Sequence, residues 1–141
     1  MGILELPTSA ILVDAIFVAF VLVYLPFLLV AYGRLQVGYE MSAPRAMFDK
    51  LPPFAQRATW AHQNSFEAFM LFSAAALCAY VTGQDSQLAA ASAIIFVCAR
   101  LLYSVFYIFN ISLARSLMFA VGSTCISILF ILSLVTVNQW G

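Results

Sequence analysis

The sequence predicts an all-α fold, an integral membrane four-helix bundle of four transmembrane helices, and three observations carry that prediction. Of 141 residues, 65% are hydrophobic and only 9% charged, against about 25% charged in an average soluble domain. Mean hydropathy is +1.02. The apolar residues gather in four runs, each long enough to cross a hydrocarbon core of about 30 Å at about 1.5 Å per residue. The connections between the runs consume the remaining length, so the chain reads as a single membrane domain over residues 1–141. A formal net charge of zero argues against nucleic acid as a partner.

The first span covers about residues 9–32. No Lys or Arg precedes it and its apolar run is longer than a signal peptide's, so it is expected to stay as a span. Pro26 predicts a kink. Asp14, about one turn inside, reads either as a shallow, solvated or capping acid or as an intramembrane proton or cation site. The stretch 33–53 is the one long polar connection, with Arg34, Glu40, Arg45, Asp49 and Lys50, and it ends in Pro52-Pro53, residues suited to a helix's first turn. The second helix spans about 54–82, long enough that it must tilt or project beyond the hydrocarbon. Gly83, Gln84 and Asp85 make a tight turn into a third helix over about 87–110. A fourth follows over about 113–137, with Ser112 as its expected N-cap.

Short connections make the second, third and fourth helices sequential antiparallel neighbours. Alanines 74–76, 79, 89–91 and 93 let them approach closely. Cys78, Cys98 and Cys125 each sit inside an apolar run with no paired spacing, and read as reduced packing residues rather than as disulfide or metal ligands. All six Lys and Arg residues lie in the first connection, near the third, or in the helix halves adjoining them. By the positive-inside rule both termini are then non-cytoplasmic.

One stretch breaks the apolar pattern. From Arg57 to Glu67 the chain carries cationic, amide, imidazole and carboxylate groups. At about 100° per residue, Arg57, Trp60, Asn64 and Glu67 fall within roughly 80° of each other, whereas His62 points about 140° from Arg57. The same spacing recurs in Arg100, Tyr103, Tyr107 and Asn110. Between antiparallel neighbours these positions pair at constant sum: Arg57 with Asn110, Trp60 with Tyr107, Asn64 with Tyr103, Glu67 with Arg100. The last pair is expected as an ion pair, tolerable at membrane depth where a lone charge is not. It reads either as a device fixing helix register or as part of a site. Near the mouth, Arg115 and Ser116 occupy the first turn of the fourth helix, where free N–H groups favour an anion. Such a set suits a small ligand with carboxylates and one amine, presented at the edge of the bilayer to a membrane-dissolved partner.

The patterns Arg57-Ala-x-x-Ala-His62-x-Asn64-x-x-Glu67, Ala-Arg100-x-x-Tyr103-x-x-x-Tyr107 and Arg115-Ser116 resemble those of the membrane-associated proteins in eicosanoid and glutathione metabolism, the MAPEG family. The bacterial members are the most similar in pattern. That resemblance implies a homotrimer in a bacterial inner membrane, with glutathione as co-substrate bound between subunits and a lipophilic small-molecule electrophile arriving from the lipid. It implies glutathione contacts from Arg57, Asn64, Glu67, Arg100, Tyr103 and Tyr107, a further carboxylate contact from Arg34 or Arg45, and stabilisation of the thiolate by Arg115 with Ser116.

Two positions depart from the family's pattern: Trp60 stands where several members carry a glutathione-binding Arg, and Gln63 replaces another basic residue. Three function classes follow. The first is a glutathione transferase or peroxidase-like enzyme. The second is a non-catalytic lipid-binding or scaffold protein of the same fold, which Trp60 favours. The third is a small multidrug exporter, which would need Asp14 near mid-membrane.

Overall fold

The computed structural model describes residues 6–139. Four long helices run through it: α1 (Thr8–Gln36), α2 (Pro53–Val81), α3 (Gln87–Ile108) and α4 (Ser112–Gln139). All four are long and apolar enough to cross a membrane. A short 3-10 helix, Pro44–Lys50, lies in the connection between α1 and α2. The fold is the expected four-helix membrane bundle, with boundaries shifted. α1 continues four residues past the expected end at 32, to Gln36, because neither Gly33 nor Arg34 stops a helix already packed on its neighbour. Ser112 is the first residue inside α4 rather than its cap, since the Arg115 N–H donates to the Ile111 carbonyl at 3.0 Å.

α1 packs along α2 and α3 along α4. α2 and α3 also touch each other and each reaches the opposite pair, which leaves α1 and α4 at the two far corners. The main core joins Leu12, Ala15 and Ala19 of α1 to Phe72, Ala76 and Phe96. Within it the Phe72 and Phe96 rings stack face to face, centroids 3.9 Å apart. Ala75, Ala76, Ala79, Ala89 and Ala93 are fully buried around them, so the alanine runs do allow close approach. A second, smaller core joins Val30 to Leu51, Ala55 and Ala58. There Gly33 abuts Ala55 so closely that a Cβ at position 33 would collide with the Ala55 methyl.

The turn between α2 and α3 is closed by backbone and side chain together. Gly83 takes a positive φ of 69°, the left-handed conformation that ends helices at low steric cost, and the Gln84 N–H reaches back to the Ala79 carbonyl at 2.9 Å. Ser86 then caps α3, accepting from the Ala89 N–H at 3.2 Å. The Gln84 amide crosses to α4, donating to the Leu132 carbonyl at 3.1 Å and to the Thr136 hydroxyl. Of the cysteines, Cys125 is buried in the main core, while Cys78 and Cys98 lie on the outer surface; all three are free.

Candidate functional site

The polar half of α2 sits opposite the C-terminal half of α3, and of the four pairs the spacing predicts, Trp60 with Tyr107 is the one that is met. The Trp60 and Tyr107 rings face each other at 6.4 Å. At the rim, Arg57 donates from Nε to the Ile108 carbonyl at 2.8 Å, two residues short of its expected partner Asn110. That carbonyl belongs to the last turn of α3, where a cation answers both an unpaired acceptor and the negative end of the helix dipole. One level deeper, the Ser65 and Ser104 hydroxyls meet at 3.4 Å.

Arg100 lies at the floor of this groove and is 4% exposed. Gly122 of α4 makes room for it: a Cβ there would sit 3.7 Å from the arginine's Cδ. Its guanidinium carbon stands 4.0 Å from the centre of the Tyr103 ring. Nη2 donates to the Asn64 carboxamide oxygen at 2.9 Å and, more weakly, to the Ser65 hydroxyl at 3.4 Å. Its Nε is buried with no partner among the described residues.

The expected ion pair of Arg100 with Glu67 does not form, and Asn64 pairs with Arg100 rather than with Tyr103. The cause is the direction of the arginine side chain. It extends toward the mouth, where it stacks on Tyr103 and meets Asn64, whereas Glu67 stays exposed on the outer side of α2. Burying that carboxylate beside Arg100 would cost its hydration, which an ion pair recovers only in good geometry.

Arg115 completes the groove from α4, its guanidinium carbon 4.5 Å from the centre of the Tyr107 ring. Tyr107 in turn meets Tyr103 edge to face at 5.6 Å. Ser116 is exposed on the next position of the helix. Phe48, from the 3-10 helix, packs on Trp60 at 5.5 Å. The result is a file of rings, Phe48, Trp60, Tyr107 and Tyr103, with Arg115 and Arg100 stacked on the last two. The two tyrosine rings each hold a cation by the negative face.

Glu67 and Arg34 belong elsewhere. Together with Arg45, Thr59, His62 and Gln63 they line a separate cleft of about 800 Å³ between α1, the 3-10 helix and α2. The Arg34 guanidinium sits 5.8 Å from the centre of the Phe27 ring, and its Nε is buried without a partner among the described residues. Of the sequence-predicted site residues, the structure therefore gathers Arg57, Asn64, Arg100, Tyr103, Tyr107 and Arg115 in one groove and puts Arg34 and Glu67 in another. Asp14 is exposed on α1, six residues after the start of the helix and distant in sequence from both.

Two participants were not legible as such. Phe48 lies in a connection that reads as polar loop, although Pro44 at the start of the 3-10 helix is a signal for a helical turn. His62, predicted to point off the polar face, does so, and meets the Val23 carbonyl of α1 at 2.7 Å.

Comparison with known proteins agrees with this architecture. The model of the MAPEG family matches residues 11–135, most of the chain. No curated protein and no solved structure matches it. Because that match runs from the first span through the last, it takes in both grooves and all four helices. The chain is a multi-pass integral membrane protein that belongs to the MAPEG family, the membrane proteins of glutathione and eicosanoid metabolism.

Proposed function

We propose that the protein is a glutathione transferase or peroxidase-like enzyme, joining the glutathione thiolate to a lipophilic electrophile at the cytoplasmic side of a bacterial inner membrane. Both termini lie on the opposite side. The observation that carries this reading is the charge of the groove. It holds a buried guanidinium, Arg100, with an unpartnered Nε, and a second guanidinium, Arg115, on the adjacent tyrosine. No carboxylate pairs with either among the described residues. Cations held in a low-dielectric site with no carboxylate in direct ion-pair contact favour an anionic ligand that brings its own charge. Glutathione, the co-substrate suggested by family membership, has two carboxylates, one amine and a thiol.

The residues divide the work by position. Arg100, Asn64 and the rim guanidinium of Arg57 bind and orient carboxylates. Tyr103 and Tyr107 supply hydroxyl donors at the groove wall. A thiol of ordinary pKa, about 8.5, is only a few per cent thiolate at neutral pH. Arg115, at the start of α4, favours the anion through its charge and the helix dipole. What glutathione supplies when bound is a soft sulfur nucleophile. Glu67 suits the amine.

The separation of the two clefts supports a homotrimer. Arg34 lines the cleft on the α1 side, whereas Arg115 lies on α4 against Tyr107, so a tripeptide that met both would be served best by two chains. A neighbouring subunit that laid its α1 side against the groove would join the halves and also screen the buried charges from lipid. Titrating glutathione into the detergent-purified protein, with a generic electrophile present, tests the reading by saturable thiolate absorbance and product formation. Absence of any thiol binding would leave the second reading, a non-catalytic lipid-binding relative. That reading is favoured by Trp60, 43% exposed at the rim between Phe48 and Tyr107, an apolar surface at headgroup depth.

A further inference from the structure

The turn between α3 and α4 is built unlike the other two connections. Residues 82–86 read Thr-Gly-Gln-Asp-Ser, and the connection between α1 and α2 carries Glu40, Arg45, Asp49 and Lys50, whereas Phe109-Asn110-Ile111 has no charge and leads directly to Leu113. Phe109 is 72% exposed and Leu113 84%. Both continue surfaces that the spans already present to lipid. Leu102, Val105 and Phe109 follow one another at helical spacing on α3, as do Leu113 and Leu117 on α4, and all are exposed. At about 100° per residue these faces lie on the far side of each helix from Tyr103, Tyr107 and Arg115, so groove and apolar surface occupy opposite sides of one hairpin.

The turn also stands lower than the rest of this end of the bundle. Ser65 meets Ser104 and Trp60 faces Tyr107; carried on at equal steps, that alignment brings Asn110 level with Arg57, four residues inside α2. At about 1.5 Å per residue the turn lies about 6 Å short of the start of α2. α1 outreaches it too, since Gly33 abuts Ala55 and the helix runs on to Gln36. The backbone suits immersion, where an unserved N–H is costly. The Phe109 N–H donates to the Val105 carbonyl at 3.0 Å, that of Asn110 to Tyr107 at 3.1 Å and that of Ile111 to Phe106 at 2.8 Å. Asn110 closes the turn by taking a positive φ of 61°. The first N–H groups of α4 still need headgroups or water, which sets the turn at the acyl–headgroup boundary and no deeper.

We propose that the α3–α4 turn is a low, lipid-immersed wall of the groove: Phe109, Ile111 and Leu113 hold it at the acyl–headgroup boundary, so that the mouth at Trp60, Tyr107 and Arg115 opens over it to molecules dissolved in the membrane. The occupant of its outer face is lipid, because that surface is continuous with the lipid-facing surface of the spans and bears no charge. A second chain laid against the groove would meet the other side of the hairpin. The kinetic readout below rests on the glutathione reading, whereas the fluorescence readouts do not.

Trp60→Phe with Trp140→Phe removes both native tryptophans, and Phe109→Trp or Leu113→Trp then reports the turn. In phosphatidylcholine vesicles brominated close to the glycerol, each reporter should be quenched at least about twofold, and little by aqueous iodide. Quenching by iodide instead would put the turn in water, and protection from both quenchers would mean that a second chain covers it; either overturns the proposal. With Trp140→Phe alone, Trp60 reports the mouth. A bromoalkane dissolved in the vesicles should quench it, and Phe109→Ser with Leu113→Ser should reduce that quenching about twofold, because headgroups and water then reach over the wall. A Trp60 indifferent to the bromoalkane, or unaffected by the serines, overturns the opening. The same double variant should raise KM for a lipid-dissolved electrophile about five- to tenfold, with KM for glutathione and for a water-soluble electrophile within about twofold. An equal rise for both electrophiles overturns the route. If wild type turns over neither, the functional reading fails, and the two fluorescence measurements still decide on the wall.

Discussion

Arg100 donates to the Asn64 carboxamide oxygen at 2.9 Å from a site where it is 4% exposed and makes no ion pair with a described carboxylate. An arrangement evolved only for stability would have little reason to bury a cation this way. Replacing buried ionic groups by apolar ones of similar volume is often neutral or stabilising by about 1–4 kcal/mol. Arg100→Met alone leaves the Asn64 oxygen without its donor, a loss of about 1–3 kcal/mol. Arg100→Met with Asn64→Leu removes both groups and is expected to melt at or above the wild-type temperature in detergent. The same double variant should lose glutathione affinity by more than about tenfold. Melting well below wild type would instead mark the pair as part of what holds the bundle together.

Arg115 and Glu67 are expected to fail differently. Lowering a thiol pKa by about two units takes roughly 2.7 kcal/mol of preference for the anion. Arg115→Ala should therefore leave glutathione binding largely intact, reduce turnover and move its pH dependence upward, because the thiol then ionises nearer its free value. Glu67→Gln should mainly weaken binding. Ultraviolet absorbance of the bound thiolate across pH separates the two; an unchanged thiolate pKa in Arg115→Ala would reduce that arginine to a headgroup anchor.

Gly33→Ala should destabilise the protein by about 1–3 kcal/mol, the usual cost of overpacking, because the added methyl meets the Ala55 side chain. Ala55→Gly in the same chain should return part of the loss. Melting of the two single variants and the double, compared as a cycle, checks this. Additive losses would mean the helices separate rather than collide.

The two half-sites predict complementation between subunits. Arg34→Ala and Arg115→Ala chains, each expected to be poorly active alone, should regain activity when unfolded, mixed and reassembled. With random mixing, about a quarter of intersubunit sites combine an intact Arg34 with an intact Arg115. Mass measurement in mild detergent should give three copies. No recovery from a mixed, reassembled trimer would confine each site to one chain.

Much of the fold was legible because hydropathy sets the spans and short turns set their order. The pairing register of α2 on α3 was legible in part: Trp60 meets Tyr107 as the constant-sum alignment requires, while Arg57 and Asn64 find other partners. What the register could not give was the partner of Arg100. A side chain that long reaches a full turn along its neighbour, so the spacing of Cα positions leaves Asn64 and Glu67 equally eligible. Solvation decided between them, leaving the acid at the surface and the neutral amide inside. Arg34 was assigned to the same site as Tyr107 because both suit a carboxylate ligand; residue type says nothing about which face of α2 each one reaches. The partner of His62 is a backbone oxygen, which has no residue type to read.

The Gln84 amide, joined to the Leu132 carbonyl and the Thr136 hydroxyl of α4, also bears on how the chain is made. Helices enter the bilayer in the order of synthesis, and when α2 and α3 are in place this carboxamide still lacks both partners. It stays at the end of the first hairpin as an unanswered polar group until the last helix arrives. Nascent chains that stop before Leu132 thus carry a mark of incompleteness at the membrane surface.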